Sequence, residues 1–167
     1  MEKITPCLWF DGKAEEAARF YTSVFKKSKM GAITRYGETG PGKKGSVMTV
    51  TFEIEGQEFM GLNGGPEFKF SEAISFVVHC KTQKQVDRYW DRLLKGGGKP
   101  VQCGWLTDKF GLSWQIVPTI LPRMLKDKDP VKTERVMAAV MKMVKLDVKA
   151  LKKAYKGKPA AAAASKA

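Results

Sequence analysis

The sequence has few cysteines, one histidine and no long apolar run. Three cysteines among 167 residues are too few and too unevenly spaced for a disulfide framework, and no CxxC pair predicts a zinc site. No stretch of about 18 apolar residues predicts a membrane span, and the N-terminal residues lack the pattern of a signal peptide. We therefore expect one globular domain with an appended tail, in the cytoplasm and without a membrane partner.

Positive charge is unevenly distributed along the chain. The net charge is +13, but residues 1–117 carry 17 Lys and Arg against 13 Asp and Glu, whereas residues 118–167 carry 13 against 4. The excess therefore belongs to a C-terminal appendage. We expect its lysines to serve solubility, and the alternative is weak, salt-sensitive and sequence-independent binding to nucleic acid.

The first part of the chain has the pattern of a βαβββ module. Apolar alternation and turn residues predict strands over 3–10, 29–36, 45–54 and 57–63. After the first strand, Asp11 is predicted to cap a helix whose apolar residues recur at i, i+3 and i+4.

The same pattern then repeats. A strand over residues 73–80 precedes Thr82 and Gln85, whose spacing predicts a capping box at the start of a helix. A shift of 69 residues places Tyr21 on Trp90 and Phe25 on Leu94, so both helices share one aromatic register. We predict an α+β fold of duplicated βαβββ modules forming a curved mixed sheet around a concave pocket, with a C-terminal helical extension.

Three segments follow from these patterns. We expect the paired modules in residues 1–118, the helical extension in 119–157 and a disordered Ala/Lys tail in 158–167. Asp129 before Pro130 predicts one helix start in the extension, and Asp147 predicts another. The first of these helices is predicted to have one apolar face, formed by Val136, Met137, Val140, Met141 and Val144. We expect this face to cover its own domain, and the alternatives are the second subunit of a dimer or a hydrophobic peptide or ligand.

Five segments together resemble a known family. They are LWFDGKAEEAARFYTSVF, FMGLNGGPEFKF, AISFVVHC, VDRYWDRLL and CGWLTDKFGLSWQIVP. They resemble the PhnB-like branch of the vicinal oxygen chelate superfamily, whose relatives include glyoxalases and bleomycin resistance proteins. Members of the branch are often labelled 3-demethylubiquinone-9 3-methyltransferase. The resemblance implies a vicinal oxygen chelate fold assembled as a homodimer.

The resemblance also implies where a metal would lie. Proteins of this superfamily usually hold a divalent ion with four His or Glu side chains, and the corresponding positions here are Pro6, Met60, Ser75 and Gln115. These side chains are poor donors for a divalent ion, so we expect neither a metal nor another cofactor. A methyl donor is not expected either, because the glycines at 96–98 follow a helix instead of opening one.

Strand parity supplies the candidate site residues. His79 is a weak catalytic candidate, since a lone histidine is more often structural or at the surface. Gln115 is expected either to orient a ligand or to satisfy a buried backbone group, and Asn63 to serve a turn first. Asp108 is expected to cap local backbone, and Phe59 and Trp114 to face the helices. The predicted ligand-binding residues are Phe10, Met60, Asn63, Ser75, His79, Trp105 and Gln115.

Three functions remain open. The first is a metal-independent protein that binds or sequesters an unidentified small molecule. The second is a pocket enzyme of the same superfamily: a lyase, an isomerase or the labelled methyltransferase. The third is a dimeric scaffold whose basic tail binds polyanions.

Overall fold

The computed structural model describes residues 4–157, which form two compact units divided between Ser71 and Glu72. The disordered tail predicted for residues 158–167 lies outside the described residues. The first unit contains β1 (Cys7–Phe10), α1 (Ala14–Val24), β2 (Ser28–Arg35), β3 (Val47–Ile54) and β4 (Gln57–Asn63). The second contains β5 (Ser75–Cys80), α2 (Gln83–Leu94), β6 (Lys99–Pro100), β7 (Trp105–Thr107), β8 (Ser113–Pro118), α3 (Ile120–Leu125), α4 (Pro130–Val140) and α5 (Val148–Lys156).

The first unit packs α1 on one face of a four-stranded sheet. Its strand order is β1-β4-β3-β2, and β1 runs parallel to β4 with Cys7 opposite Met60. Phe52 and Phe59 stack on the helix side with ring centroids 5.4 Å apart. A Cβ at Gly61 would lie 3.1 Å from the Ala14 side chain, so glycine lets the helix approach the sheet closely.

The second unit repeats this arrangement. Its sheet has the order β5-β8-β7-β6, and β5 runs parallel to β8 with Ser75 opposite Ser113. Trp90 of α2 is buried like Tyr21 of α1, the residue that the 69-residue shift places on it. The α+β class and the duplication of βαβββ are therefore confirmed. The described strands form two four-stranded sheets, and the concave pocket stays a prediction.

Side-chain caps mark most of the helix starts that the sequence predicted. The Thr82 hydroxyl accepts a hydrogen bond from the Gln85 N–H at 3.3 Å, and the Gln85 side chain accepts one from the Lys81 N–H. Asp129 accepts from two amides at the start of α4, and Asp147 accepts from the Ala150 N–H. Each of these caps needs only neighbours within one helical turn.

The predicted cap at Asp11 is wrong. Gly12 has a φ of +68° and adds a turn after β1, so α1 begins at Ala14 and Lys13 occupies its cap position. The Lys13 side chain makes no cap hydrogen bond. The Ala14 N–H instead donates to Asn63 Oδ1 at 2.9 Å, from the end of a distant strand.

The helical extension belongs to the second unit. Leu121, Val136, Val140, Leu146 and Leu151 form a buried cluster, and Cys103 and Val117 of the second module pack against it. The Cys103 and Gly104 N–H groups donate to the Met143 and Val144 carbonyls, both at 2.8 Å.

The predicted apolar face of the extension is only partly buried within the chain. Val136 and Val140 are buried, but Met137, Met141 and Val144 are exposed, Met141 by 58%. The valines point inward at i and i+4, and the two methionines lie one position further round the helix.

Among the described helices, none combines the length and the apolar composition that a membrane span needs.

Candidate functional site

The second sheet has one face turned away from α2, which we call the open face. On β8, Trp114 and Ile116 point to the helix side and are buried, so Gln115 lies on the open face. Gln115 is opposite Trp105 of β7 and Val77 of β5 in the strand register. Alternation along β5 adds Ser75 and His79 to the same face.

A hydrogen bond joins two of the predicted site residues on this face. Gln115 Nε2 donates to Ser75 Oγ at 2.9 Å across the β5–β8 pair. Gln115 therefore does not satisfy a buried backbone group through this amide nitrogen. The bond uses the amide as a donor, which leaves Gln115 Oε1 able to accept and the Ser75 hydroxyl proton able to donate.

Ser113 is a polar residue of this face that the sequence analysis did not single out. It is 1% exposed, and its hydroxyl oxygen is buried with no hydrogen-bond partner among the described residues. A buried hydroxyl without a partner costs about 1–3 kcal/mol, but at 1% exposure it is closed to a ligand that binds on this face. Its parity with Gln115 was the signal that would have identified it.

Apolar and titratable side chains complete the open face. Val77 is 45% exposed and Trp105 is half-buried, so both present apolar surface. His79 is exposed, and its imidazole makes no hydrogen bond with another described residue. The open face thus offers the Ser75 hydroxyl as a donor, the Gln115 amide oxygen as an acceptor, and the apolar side chains of Val77 and Trp105.

The turn before β8 is held by Asp108, which is 3% exposed. Its Oδ1 accepts from the Phe110 and Leu112 N–H groups at 2.8 and 3.1 Å, and its Oδ2 accepts from Trp114 Nε1 at 2.9 Å. Asp108 is therefore a structural residue, which confirms its predicted role in capping local backbone. It fixes the strand that carries Ser113 and Gln115.

Two predicted residues of the first unit have clear structural roles. Phe10 is 4% exposed and meets Phe70 edge to face, so its ring lies in the core. Asn63 Oδ1 caps α1 and its Nδ2 donates to the Val47 carbonyl at 3.0 Å. The Asn63 carbonyl accepts from the Tyr36 hydroxyl at 2.6 Å.

Met60 lies on the face of the first sheet turned away from α1. It is half-exposed, and its N–H donates to the Pro6 carbonyl at 2.9 Å. Cys7, opposite Met60 in the register, is exposed, and partial burial raises the pKa of its thiol. A thiol with a raised pKa is a weaker metal ligand and nucleophile at neutral pH.

The residues at the superfamily's metal positions do not fit a metal. A thioether, a hydroxyl and a carboxamide leave a divalent charge poorly compensated, and the carboxamide nitrogen of Gln115 already donates to Ser75. Among residues 4–157, no group of three or more His, Cys, Asp and Glu side chains is placed to hold an ion.

The first unit also contains a cavity of about 350 Å³ beside the start of α1. Asp11, Glu15, Tyr36 and Asn63 line it together with glycine-rich backbone. The Asn63 amide and the Tyr36 hydroxyl are engaged in the bonds described above, and Glu15 pairs with Arg19 at 2.6 Å. Three of these four side chains are therefore satisfied by the protein, and only the Asp11 carboxylate forms no hydrogen bond or ion pair with another described residue.

The glycine run after α2 ends the helix, as the sequence predicted. α2 ends at Leu94, and Gly96 and Gly97 have φ values of +89° and +123°, which favour glycine. The Gly98 N–H donates to the Leu94 carbonyl at 3.0 Å. The run therefore closes a helix and does not form a strand-to-helix nucleotide loop.

Comparison with known proteins places the chain beside one family. The family model described as 3-demethylubiquinone-9 3-methyltransferase matches residues 2–117. A Bacillus cereus PhnB protein, described by the same methyltransferase name, is 41% identical, with a TM-score of 0.64 over 71% of this chain and 100% of its own. No curated protein gives a significant match.

Two more distant structures are also similar to the chain, and the first of them shares its fold. A Pseudomonas aeruginosa protein is 18% identical, with a TM-score of 0.58 over 71% of this chain and 98% of its own. A glyoxalase/bleomycin resistance protein/dioxygenase domain from Frankia is 13% identical, with a TM-score of 0.46 over 71% of this chain and 92% of its own.

Proposed function

The chain belongs to the PhnB-like family described as 3-demethylubiquinone-9 3-methyltransferase, and from this premise we propose that it binds a small molecule without a metal, on the open face of its second sheet. The observation that carries the proposal is the Ser75–Gln115 pair, which leaves the Gln115 amide oxygen and the Ser75 hydroxyl proton available. Polar groups left available next to apolar surface are typical of a ligand site.

The chemistry of the open face favours a neutral, planar ligand with an oxygen substituent. Gln115 Oε1 accepts a hydrogen bond from a ligand hydroxyl, and the Ser75 hydroxyl donates to the ligand oxygen. Trp105 and Val77 supply the apolar contact. A hydroxylated or carbonyl-bearing ring can form these hydrogen bonds and this apolar contact. The quinone in the family description belongs to this class of compound.

Binding is favoured over methyl transfer. The glycine run at 96–98 ends α2, so it does not supply the strand-to-helix turn that often holds the adenosine of a methyl donor. Among residues 4–157, no carboxylate pairs with the exposed His79 to orient it as a general base. The proposed role is therefore to hold or sequester its ligand.

A ligand-observed NMR titration with 2-naphthol and naphthalene tests this role. We expect the protein to prefer 2-naphthol about fivefold, which corresponds to roughly one net hydrogen bond. Gln115→Met keeps the side-chain volume but removes the amide oxygen and the amide nitrogen, so it should abolish the preference for 2-naphthol. Equal binding of the two probes by the unmodified protein would refute the hydrogen-bonding site.

A matched control separates the site from general effects of the substitution. Gln57→Met makes the same chemical change at an exposed position of β4 in the first unit, and it should keep the preference. Native mass spectrometry with elemental analysis provides a second test and also counts subunits, for which we expect a homodimer. A stoichiometric divalent metal would contradict the metal-independent proposal.

A further inference from the structure

Helix α5 carries four lysines on one solvent-facing side. Lys149, Lys152, Lys153 and Lys156 follow one another at i, i+3, i+4 and i+7 and are all exposed. This spacing places them on a single strip along the helix. We call this strip the α5 lysine stripe.

The charges of the stripe are not neutralised by the protein. None of its lysines forms an ion pair with another described residue, whereas Lys145 nearby pairs with Asp87 at 2.9 Å. The only acid at the start of the helix is Asp147, whose carboxylate accepts from the Ala150 N–H. Lysines of neighbouring turns therefore repel one another, a cost that a polyanion would remove.

Helix stability explains only part of the stripe. Cations in the last turn interact favourably with the helix dipole, which accounts for Lys153 and Lys156. Lys149 and Lys152 lie before the last turn, where this effect has faded. Their positions add charge to the strip without strengthening the helix.

The buried side of α5 argues against a membrane as the partner. A helix that binds a bilayer surface inserts its apolar face among the lipids. The apolar face of α5 is occupied, because Leu151 is fully buried in the cluster of the extension and Tyr155 packs against the same cluster. Only the lysines remain for contact, which favours a soluble polyanion.

The absence of a stacking residue on the stripe favours duplex backbone over unpaired bases. Proteins that bind single strands usually stack bases on exposed aromatic rings. The one aromatic residue of α5, Tyr155, is half-buried, donates its hydroxyl to Asp127 and has the Lys132 ammonium 5.5 Å above its ring. Along the stripe the helix advances by about 10 Å, over which a duplex presents roughly six phosphate charges.

We propose that the α5 lysine stripe is a sequence-independent binding surface for the phosphate backbone of double-stranded nucleic acid. It is separate from the ligand site on the open face. Each lysine that contacts a phosphate releases counterions, so the affinity falls steeply as salt rises. Dissociation constants on the order of 10⁻⁶ to 10⁻⁴ M are usual for such binding at physiological salt.

Fluorescence anisotropy of a labelled 20-base-pair DNA between 50 and 200 mM KCl tests this surface. Replacing all four stripe lysines by Gln should lower the slope of log K against log salt by about three to four. It should also weaken binding about tenfold or more at 50 mM KCl. Gln has nearly the helix propensity of Lys, and replacing all four by Arg should keep the slope.

A control with the same charge change uses four exposed lysines elsewhere, Lys26→Gln, Lys27→Gln, Lys81→Gln and Lys84→Gln together. The control variant should keep most of the slope of log K against log salt. An equal loss in both variants would overturn the stripe in favour of net charge alone. Tighter binding to oligo-dT than to the duplex, preferential binding to phosphatidylserine vesicles, or no DNA binding at 50 mM KCl would also overturn it.

Discussion

Asp108 shows how a single residue positions the site without touching a ligand. One carboxylate holds two backbone amides and the buried Trp114 indole. The carboxylate therefore links the loop to the strand. Gln115 follows Trp114 directly, so its orientation depends on the same contacts.

We expect Asp108→Ala to lower the free energy of unfolding by about 3 kcal/mol, since buried donors that lose their acceptor cost about 1–3 kcal/mol each. Urea denaturation followed by far-UV circular dichroism measures this loss. Trp114→Phe removes only the indole N–H bond and some volume, so it should cost less. A larger loss for Trp114→Phe than for Asp108→Ala would contradict this role of the carboxylate.

At the residue scale, local hydrogen bonds could be predicted from sequence and distant ones could not. Thr82, Asp108 and Asp129 bond to amides within a few positions, and the sequence shows both partners. Asn63 caps α1 across 49 positions of the chain, which no local spacing reveals. The proximity of Ser75 and Gln115 could be predicted, because strand parity and the repeat together define which residues of β5 and β8 lie on the same face.

Among the elements, the helical extension depends on contacts that its own sequence only partly shows. Its caps were predictable, but α3 was not, because it is short and contains Pro122. A proline is tolerated there because it lies in the first turn, where the amide has no intrahelical partner. The outward direction of Met137 and Met141 depends on which side of α4 the module occupies, and a broad apolar stripe does not specify this.

The Tyr155 hydroxyl donates to the Asp127 carboxylate and ties α5 to the loop before α4. This bond lowers the pKa of Asp127 and raises the pKa of Tyr155. Its contribution is present above the ordinary Asp value of about 4 and below the ordinary Tyr value of about 10. It is lost as pH falls through the lowered pKa and as pH rises through the raised one.

Tyr155→Phe should therefore lower the melting temperature by a constant amount between about pH 5 and pH 9 and by less outside that range. Differential scanning calorimetry across pH measures the difference. Tyr36→Phe is the control, because the Tyr36 hydroxyl donates to a backbone carbonyl that does not titrate on the acid side. If Tyr155→Phe lowered the melting temperature by the same amount down to pH 2, this would contradict the role of Asp127.

For the whole molecule, duplication was the most predictable feature and the ligand site the least. Equivalent helices bury equivalent residues, so Tyr21 and Trp90 both fill the core of their own unit. The repeat could be detected because packing constrains side-chain size at these positions. The open face carries no such constraint on side-chain size, so the repeat does not show which of its residues would contact a ligand.

Each unit should lose protection against hydrogen exchange when a buried side chain of its own core is removed. Tyr21→Ala and Trp90→Ala each remove a buried aromatic ring and should cost about 3–5 kcal/mol. Hydrogen exchange read by mass spectrometry should show faster exchange first in β1–β4 for Tyr21→Ala and in β5–β8 for Trp90→Ala. Equal acceleration throughout the chain in both variants would show that the two units unfold as one.

The parallel pairing of the first and last strands of each module has a consequence for synthesis. β1 cannot find its neighbour until β4 has left the ribosome, so each sheet stays open until its final strand emerges. The first sheet ends at Asn63, so β4 leaves the ribosome before any strand of the second sheet does. The nascent chain can therefore fold in two successive stages, with the earlier module formed before β5 has a partner with which to mispair.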